Sequence, residues 1–245
     1  VSFVFQKWQA LGNDFIITES LPDSKIIASI PRFCHRRFGI GADGFIFIDC
    51  NHNPPKMHFF NADGTCVKMC GNGLRSAIFY LKDRQKEPKI EFEGNVYESF
   101  ESEGQVFVPM PYPQKLDCDL PAHEGLWILA GVPHYLMAKD DVHQGDLDPD
   151  IFNFRYHSAF GQEGTNITFY QIKDKKCFLR TCERGVDEET LSCGSAALAC
   201  AYLIDEPCIE MIYKTGAKAI VKKTEKTIAL SGHAEKVFEG HAFYD

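Results

Sequence analysis

Short runs in which apolar and polar residues alternate, or in which β-branched and aromatic residues cluster, recur along the chain: VSFVF, DFIIT, GFIFID, KMHFF, KIEFE, QVFVPM, NITFYQI, CFLRTC, IEMIYK, AIVKK and TIALSG. A period of two puts alternate side chains on opposite faces, so each run predicts a strand. Helical spacing is confined to three stretches. GNGLRSAIFYLKDRQ and CGSAALACAYLID read as uninterrupted helices, whereas DSKIIASIPRFCHRRF contains Pro31, which lacks an N–H and is expected to break it. Single helices punctuating long runs of strands predict an α+β chain.

Prolines 109, 111, 113 and 121 cluster in VPMPYPQKLDCDLP, stiffening the backbone and removing ladder donors. A domain boundary is expected there, with residues 1–112 forming an N-terminal half and 113–236 a C-terminal half. Its position near mid-chain prompts a search for a repeat, and MCGNGLRSAIFYL (69–81) aligns with SCGSAALACAYLI (192–204). The first copy follows a strand and an NADG turn (Asn61 to Gly64), the second a strand and an ERG turn (Glu183 to Gly185). Each copy therefore delivers a cysteine from a strand, through a polar turn, to the start of a helix.

Composition narrows the partners. Of 245 residues, 44% are hydrophobic and 24% charged, which excludes a disordered chain and permits a packed core. Twenty-six basic against thirty-four acidic residues give a net charge of −8, which argues against nucleic acid and against an anionic membrane surface. VSFVFQKWQALGNDF lacks the basic and apolar regions of a signal peptide, and LWILAGVPHYLMA is short and interrupted by Gly131, Pro133 and His134. No signal peptide or membrane span is expected, and a reducing cytoplasm is the expected compartment. The ten cysteines contain no CxxC pair, so they are expected to be reduced and no metal site is predicted. Cys34, Cys50, Cys118, Cys177, Cys200 and Cys208 read as small buried apolar residues, and Cys66 and Cys182 carry no assigned role.

Cys70 and Cys193 are different because of where they stand. A helix start presents amide N–H groups and about half a positive charge, which favours thiolate over thiol and can hold a carboxylate. Met69 has no side chain able to cap its helix, leaving the amides near Gly71 and Asn72 for a ligand anion; Ser192 is able to cap the second helix, which weakens the argument there. Two acid/base groups without another cofactor suit inversion at a carbon, where one face loses a proton as the other gains one. GIGADG spells GxGxxG through Gly39, Gly41 and Gly44, but RFCHRRF precedes it and the β-rich GFIFID follows, the reverse of a dinucleotide-binding context. A turn is expected there.

LGNDF (11–15), GIGADG (39–44), NADG with MCGNGLR (61–75), PH (133–134), GTNITF (164–169), ERGVDEETLSCGS (183–195) and VFEG (237–240) resemble, in order and spacing, the diaminopimelate epimerase family. The resemblance implies an isomerase needing no cofactor, built from two pseudo-symmetric mixed α/β halves. Each half would be a curved strand-rich sheet around a central helix, with residues 237–245 returning to the first half and the active site in the cleft between the two. It implies a homodimer that interconverts LL- and meso-diaminopimelate for lysine and peptidoglycan precursors. Cys70 and Cys193 would be the acid/base pair, tuned by His134 and Glu183. Gly71, Asn72, Gly194 and Ser195 would hold the α-carboxylate, and Glu183 the α-amino group. Asn13, Asn61, Asn166 and Arg184 would bind the distal part of the substrate. From the residues alone, Asn13 and Asn61 also suit turns, and His134 suits a satisfied core histidine.

Members of the family usually carry Asn before PH and Gln after GAD, where this chain has Val132 and Gly44. Losing two polar contacts relaxes recognition of the second amino-acid centre. A broader racemase acting on amino acids such as glutamate or aspartate with the same cysteines is therefore an alternative. A catalytically silent amino-acid-binding protein, needing neither thiol, is another.

Overall fold

The computed structural model describes residues 2–20, 22–117, 120, 125–145, 147–184 and 189–244. Gly185 of the ERG turn, Cys118 and Pro121 lie outside the described residues. The chain divides into two compact units, Val1–Val108 with Gly232–Asp245, and Pro109–Ser231.

The first unit contains β1 (Ser2–Ala10), β2 (Asn13–Thr18), α1 (Ser24–Cys34), β3 (Gly44–Asp49), β4 (Lys56–Asn61), α2 (Gly71–Asp83), β5 (Lys89–Phe92) and β6 (Asn95–Glu98). A hairpin of β7 (Phe100–Ser102) and β8 (Gln105–Met110) follows, the second strand carrying the chain out of the unit. The second unit contains β9 (Gln114–Leu116), β10 (Gly125–Ala130), β11 (Val132–Ala138), α3 (Asp150–Phe154), a 3₁₀ turn Ser158–Phe160, β12 (Asn166–Lys173) and β13 (Lys176–Cys182). It continues through β14 (Glu189–Thr190), α4 (Gly194–Ala201), β15 (Cys208–Tyr213), β16 (Lys218–Lys223) and β17 (Ile228–Gly232). The last strand, β18 (Ala234–Phe243), belongs to the first unit.

The first sheet is ordered β18-β1-β2-β3-β4-β5-β6, and the second unit's strands are ordered β17-β16-β15-β13-β12-β11-β10-β9. The run β1 to β6 matches, strand for strand, the run β10, β11, β12, β13, β15, β16. The antiparallel pair β1–β2 is followed by α1 and a parallel strand β3, just as β10–β11 is followed by α3 and the parallel β12. Next, β4 pairs antiparallel with β3 and leads through α2 to the parallel β5; β13 pairs antiparallel with β12 and leads through α4 to the parallel β15. The repeat in the sequence thus occupies one topological slot, the crossover helix between two parallel strands.

Both crossover helices are enclosed along most of their length. In α4 the residues Gly194, Ala196, Ala197, Leu198, Ala199, Cys200 and Ala201 are all buried. Small side chains let β10, β11, β13 and β16 approach it closely. α2 packs against β1, β2, β3, β5 and β18 and buries the run from Gly71 to Ile78 together with Tyr80 and Leu81. On the opposite side of the first sheet, α1 covers an aromatic cluster in which Phe3 and Phe33 meet edge to face at 5.1 Å, with Phe45, Phe47, Phe60 and Tyr244 alongside. In the second unit Tyr135, Val142, Phe160, Ile167 and Phe169 form the counterpart cluster.

Two local expectations are corrected. α1 runs through Pro31 to Cys34 and is not broken there. Pro31 lies in its last turns, where one backbone hydrogen bond is lost, while Ile26, Ile30, Phe33 and Cys34 are buried against the sheet. At α2 and α4 the capping residues are Cys70 and Cys193 themselves, not Met69 and Ser192, because both cysteines have extended backbone at the helix boundary. The apolar segment LWILAGVPHYLMA forms the β10–β11 hairpin about Gly131, whose φ of +79° suits glycine. Among the described residues no helix is long and apolar enough to cross a membrane.

Because Leu74 is wholly buried at the centre of this packing, Leu74→Ala is expected to lower the unfolding free energy by about 2–5 kcal/mol. Equilibrium denaturation in urea checks this; a loss under about 1 kcal/mol would show that the helix repacks around the cavity.

Candidate active site

The topology brings the sequence-predicted residues to the same end of each sheet. In the first unit, Asn13 opens β2, Asn61 closes β4, and Cys70 caps α2 with φ −153° and ψ 108°. The Cys70 sulfur accepts a hydrogen bond from the Gly73 amide at 3.3 Å. Asn72 on the first turn donates through Nδ2 to Asn13 Oδ1 at 3.3 Å and accepts at Oδ1 from Arg75 Nη2 at 2.6 Å. Asn13 in turn donates to Asp43 Oδ2 at 2.8 Å. Cys70, Asn72 and Asn13 are therefore joined through the first turn of α2. Asn61 is held differently, with its side chain donating to Thr65 Oγ1 at 3.0 Å inside the NADG turn.

A cluster of charges braces Asn13 from behind. Arg36 meets Asp14 in a two-pronged contact at 3.0 and 2.9 Å and also reaches Asp43 at 2.7 Å, while Lys7 pairs with Asp14 at 2.8 Å. Burial alone would raise the Asp14 pKa, but the hydrogen bonds and charges of Arg36 and Lys7 outweigh it and lower it from 3.8 to about 2.

GIGADG forms the connection from α1 into β3, with Gly41 at φ +80°. At Gly44, which opens β3, a Cβ would lie 2.3 Å from Phe59 Cε2, so no side chain fits unless that ring moves. Phe59 is itself buried and held edge-on by Phe15 at 5.6 Å. The same ring would stand 3.2 Å from a Cβ at Gly73.

In the second unit the corresponding end holds His134 on β11, Asn166 at the start of β12, Glu183 and Arg184 just past β13, and Cys193, Gly194 and Ser195 at the start of α4. His134 is fully buried. Its Nε2 lies 2.8 Å from Ser195 Oγ and 3.3 Å from Asn166 Nδ2, and its Nδ1 lies 2.9 Å from Thr168 Oγ1. Ser195 Oγ is also 3.2 Å from Cys193 Sγ. Asn166 Oδ1 accepts from the Arg184 amide at 2.8 Å, and the Glu183 carbonyl accepts from the buried Arg155 guanidinium. The Arg184 guanidinium reaches the exposed Glu163 at 3.4 Å, a pairing of small worth in water.

Burial, and then the charge of Arg184, lowers the His134 pKa from 6.5 to about 3, so its ring is neutral. Burial, and then the carboxylate of Glu183, raises Cys193 well above the ordinary thiol value, while the Ser195 hydroxyl pulls the other way. Cys193 is therefore a thiol in this state. Thr168 and Thr181 escaped the sequence reasoning. The signal was the alternation in NITFY, which puts Thr168 on the same face of β12 as Asn166. Among the described residues no group of three or more His, Cys, Asp or Glu side chains is placed to hold a metal ion.

Comparison with known proteins meets this geometry. A family model described as diaminopimelate epimerase matches residues 5–110. The diaminopimelate epimerase of Aquifex aeolicus is 31% identical, with 96% of each chain covered. That of Methanocella arvoryzae is 32% identical, covering 98% of this chain and 97% of its own. Among solved structures, a phenazine biosynthesis protein of the PhzF family from Enterococcus faecalis superimposes with a TM-score of 0.75 over 99% of this chain and 100% of its own, at 14% identity, a likeness of fold alone. The protein is an isomerase of the epimerase and racemase class. Within that class the chain belongs to the diaminopimelate epimerase family.

The Asp14 cluster has a pH signature. A carboxylate whose pKa is depressed on folding stabilises the folded state above its unfolded value and ceases to do so as pH falls through the folded value. Stability carried by Asp14 is therefore expected to decline between 3.8 and about 2. Asp14→Asn should flatten the pH dependence of the urea midpoint in that window, and identical slopes in the two proteins would refute the assignment.

Proposed function

We propose that the chain interconverts LL- and meso-diaminopimelate by a two-base reaction in which Cys70 and Cys193 act on opposite faces of one Cα. The observation that carries this reading is that each cysteine is the N-cap of the crossover helix in the same topological slot of its unit. An N-cap thiol lies beside first-turn amides that favour negative charge, whether on its own sulfur or on a substrate carboxylate. Gly71 and Asn72 on α2, with Gly194 and Ser195 on α4, offer those amides to the α-carboxylate. The same amides stabilise charge as the α-proton leaves.

Cys193 stands protonated beside Glu183 and is the acid in this state, with Cys70 as the thiolate that removes the proton. The reverse direction exchanges the two roles. Glu183 holds the α-amino group, and its negative charge keeps Cys193 loaded with a proton. His134, held neutral, tunes Cys193 through Ser195. Asn13, Asn61, Asn166 and Arg184 receive the distal amino-acid centre. Arg184 is suited to a carboxylate because its guanidinium exchanges an exposed partner for a substrate. Neither thiol needs a cofactor for this proton transfer. The reading also carries a homodimer, which sedimentation of the purified protein checks, a cytoplasmic location, and a place in lysine and peptidoglycan precursor synthesis.

Incubating the protein with LL-diaminopimelate in heavy water is expected to introduce deuterium at Cα while the meso form accumulates. Cys70→Ala and Cys193→Ala should each reduce epimerisation by about 10²-fold or more. Normal epimerisation by both single variants would sink the two-thiol mechanism and leave amino-acid binding as the activity.

One observation favours a second reading, a racemase of broader range. The Phe59 ring leaves no room for a side chain at position 44, so no side-chain contact with substrate is made from there. Racemisation of glutamate and aspartate is then expected beside that of diaminopimelate. Activity on diaminopimelate alone would exclude it.

A further inference from the structure

We propose that Asn166, held by the Arg184 amide, is a positioning residue that fixes which nitrogen of His134 carries the proton, and through it the direction in which the Ser195 hydroxyl points beside Cys193. The inference rests on the reading of Cys193 as an acid/base thiol and gives Asn166 a role in it. Donors and acceptors settle in one order. The Arg184 amide can only donate, and it lies 2.8 Å from Asn166 Oδ1, which orients the Asn166 amide and turns Nδ2 toward His134. Nδ2 can only donate, and it stands 3.3 Å from His134 Nε2. Nε2 must then be the bare, accepting nitrogen. The neutral ring carries its proton on Nδ1, where Thr168 Oγ1 accepts it at 2.9 Å. The same Thr168 oxygen lies 3.5 Å from Thr181 Oγ1.

With Nε2 accepting, the Ser195 hydroxyl donates to it at 2.8 Å and leaves only lone pairs toward Cys193 Sγ at 3.2 Å. That arrangement suits a protonated Cys193. When the sulfur is a thiolate, rotation about one Cβ–Oγ bond turns the same hydroxyl to donate to Sγ, while Asn166 still occupies Nε2. One hydroxyl therefore serves both protonation states without movement of the backbone. A proton on Nε2 would donate into Ser195 and hold the serine hydrogen on Cys193 in both states, favouring thiolate throughout.

Other groups act on Cys193 but do not choose the tautomer. Glu183 at the end of β13 raises its affinity for the proton. Cys200 lies farther along α4 and interacts with Cys177 of β13, and Tyr213 of β15 donates to the Cys193 carbonyl at 3.3 Å. Arg184 acts on His134 by charge.

The imidazole ¹⁵N shifts of the full-length protein, with the His134 signals assigned by their loss in His134→Gln, read the tautomer directly. The unmodified protein is expected to carry the proton on Nδ1; a proton on Nε2 overturns the proposal whatever any variant does. Titration of the Cys193 thiolate, followed by ultraviolet absorbance as the difference between proteins with and without Cys193→Ser, supplies the second readout. Asn166→Ala, which removes the donor, is expected to shift the proton from Nδ1 toward Nε2 and to lower the Cys193 midpoint by about half a unit or more. Thr168→Val, which leaves that donor in place, is expected to keep the proton on Nδ1. An unchanged tautomer and midpoint in Asn166→Ala would overturn the proposal. Both measurements are made without substrate, so their failure is distinct from failure of the epimerase reading, which deuterium exchange by the unmodified protein decides.

Discussion

The first turn of an α-helix has amides that the helix cannot satisfy from within, and in both units of this chain the residue set at that turn is a cysteine with extended backbone. The rest of the architecture makes that placement reproducible. A parallel pair of strands requires a crossover, and the crossover returns the chain to the start of the next strand through a helix whose beginning lies past the end of the first. The polar residues at that end come from strand termini, where the backbone leaves the ladder and side chains no longer pack into a sheet. Asn13, Asn61, Asn166 and Glu183 all stand at or just beyond such termini. The apolar residues of α2 and α4 set the depth of each cysteine by enclosing the helix that carries it.

The same slot produces different sulfurs. Cys70 is half-buried and receives the Gly73 amide, whereas Cys193 is buried beside a carboxylate and meets the Ser195 hydroxyl. A hydrogen-bond donor favours a thiolate, and a buried site with a negative neighbour favours a thiol. The two copies of the repeat therefore differ in what surrounds the sulfur, and the difference comes from Glu183 and from the network of His134 and Ser195.

Much of this was visible in the chain itself. The alternating runs and the β-branched or aromatic clusters predicted most strands because each has at least one buried face, and the Cys-Gly repeat predicted the two crossover helices because their apolar positions continue without a breaker. What escaped had physical reasons. β18 is largely exposed, with the run from Glu235 to Glu239 facing solvent, and therefore carries no alternation to read. Pro31 does not break α1, because side-chain burial there outweighs the loss of one backbone bond. The capping positions were displaced by one residue because helix boundaries depend on backbone angles that composition does not encode. The family resemblance pointed to His134, but no sequence pattern showed that Thr168 and Ser195 lie on its two nitrogens, since those residues come from β12 and α4 and meet only through sheet register.

That last point bears on why the second unit holds its polar residues so deep. His134, Asn166, Thr168 and Thr181 are all nearly inaccessible, and a buried polar group without a partner costs about 1–3 kcal/mol. Here the costs are offset in series, because each group meets a partner along one path from the Arg184 amide through Asn166, His134 and Thr168 to Thr181. At its Asn166 end the path admits little choice, since turning that amide over would set its Nδ2 donor against the Arg184 N–H. The order that makes burial tolerable is thus the order that aims Ser195 at Cys193, and a site able to distinguish thiol from thiolate follows from satisfying the hydrogen bonds of the core.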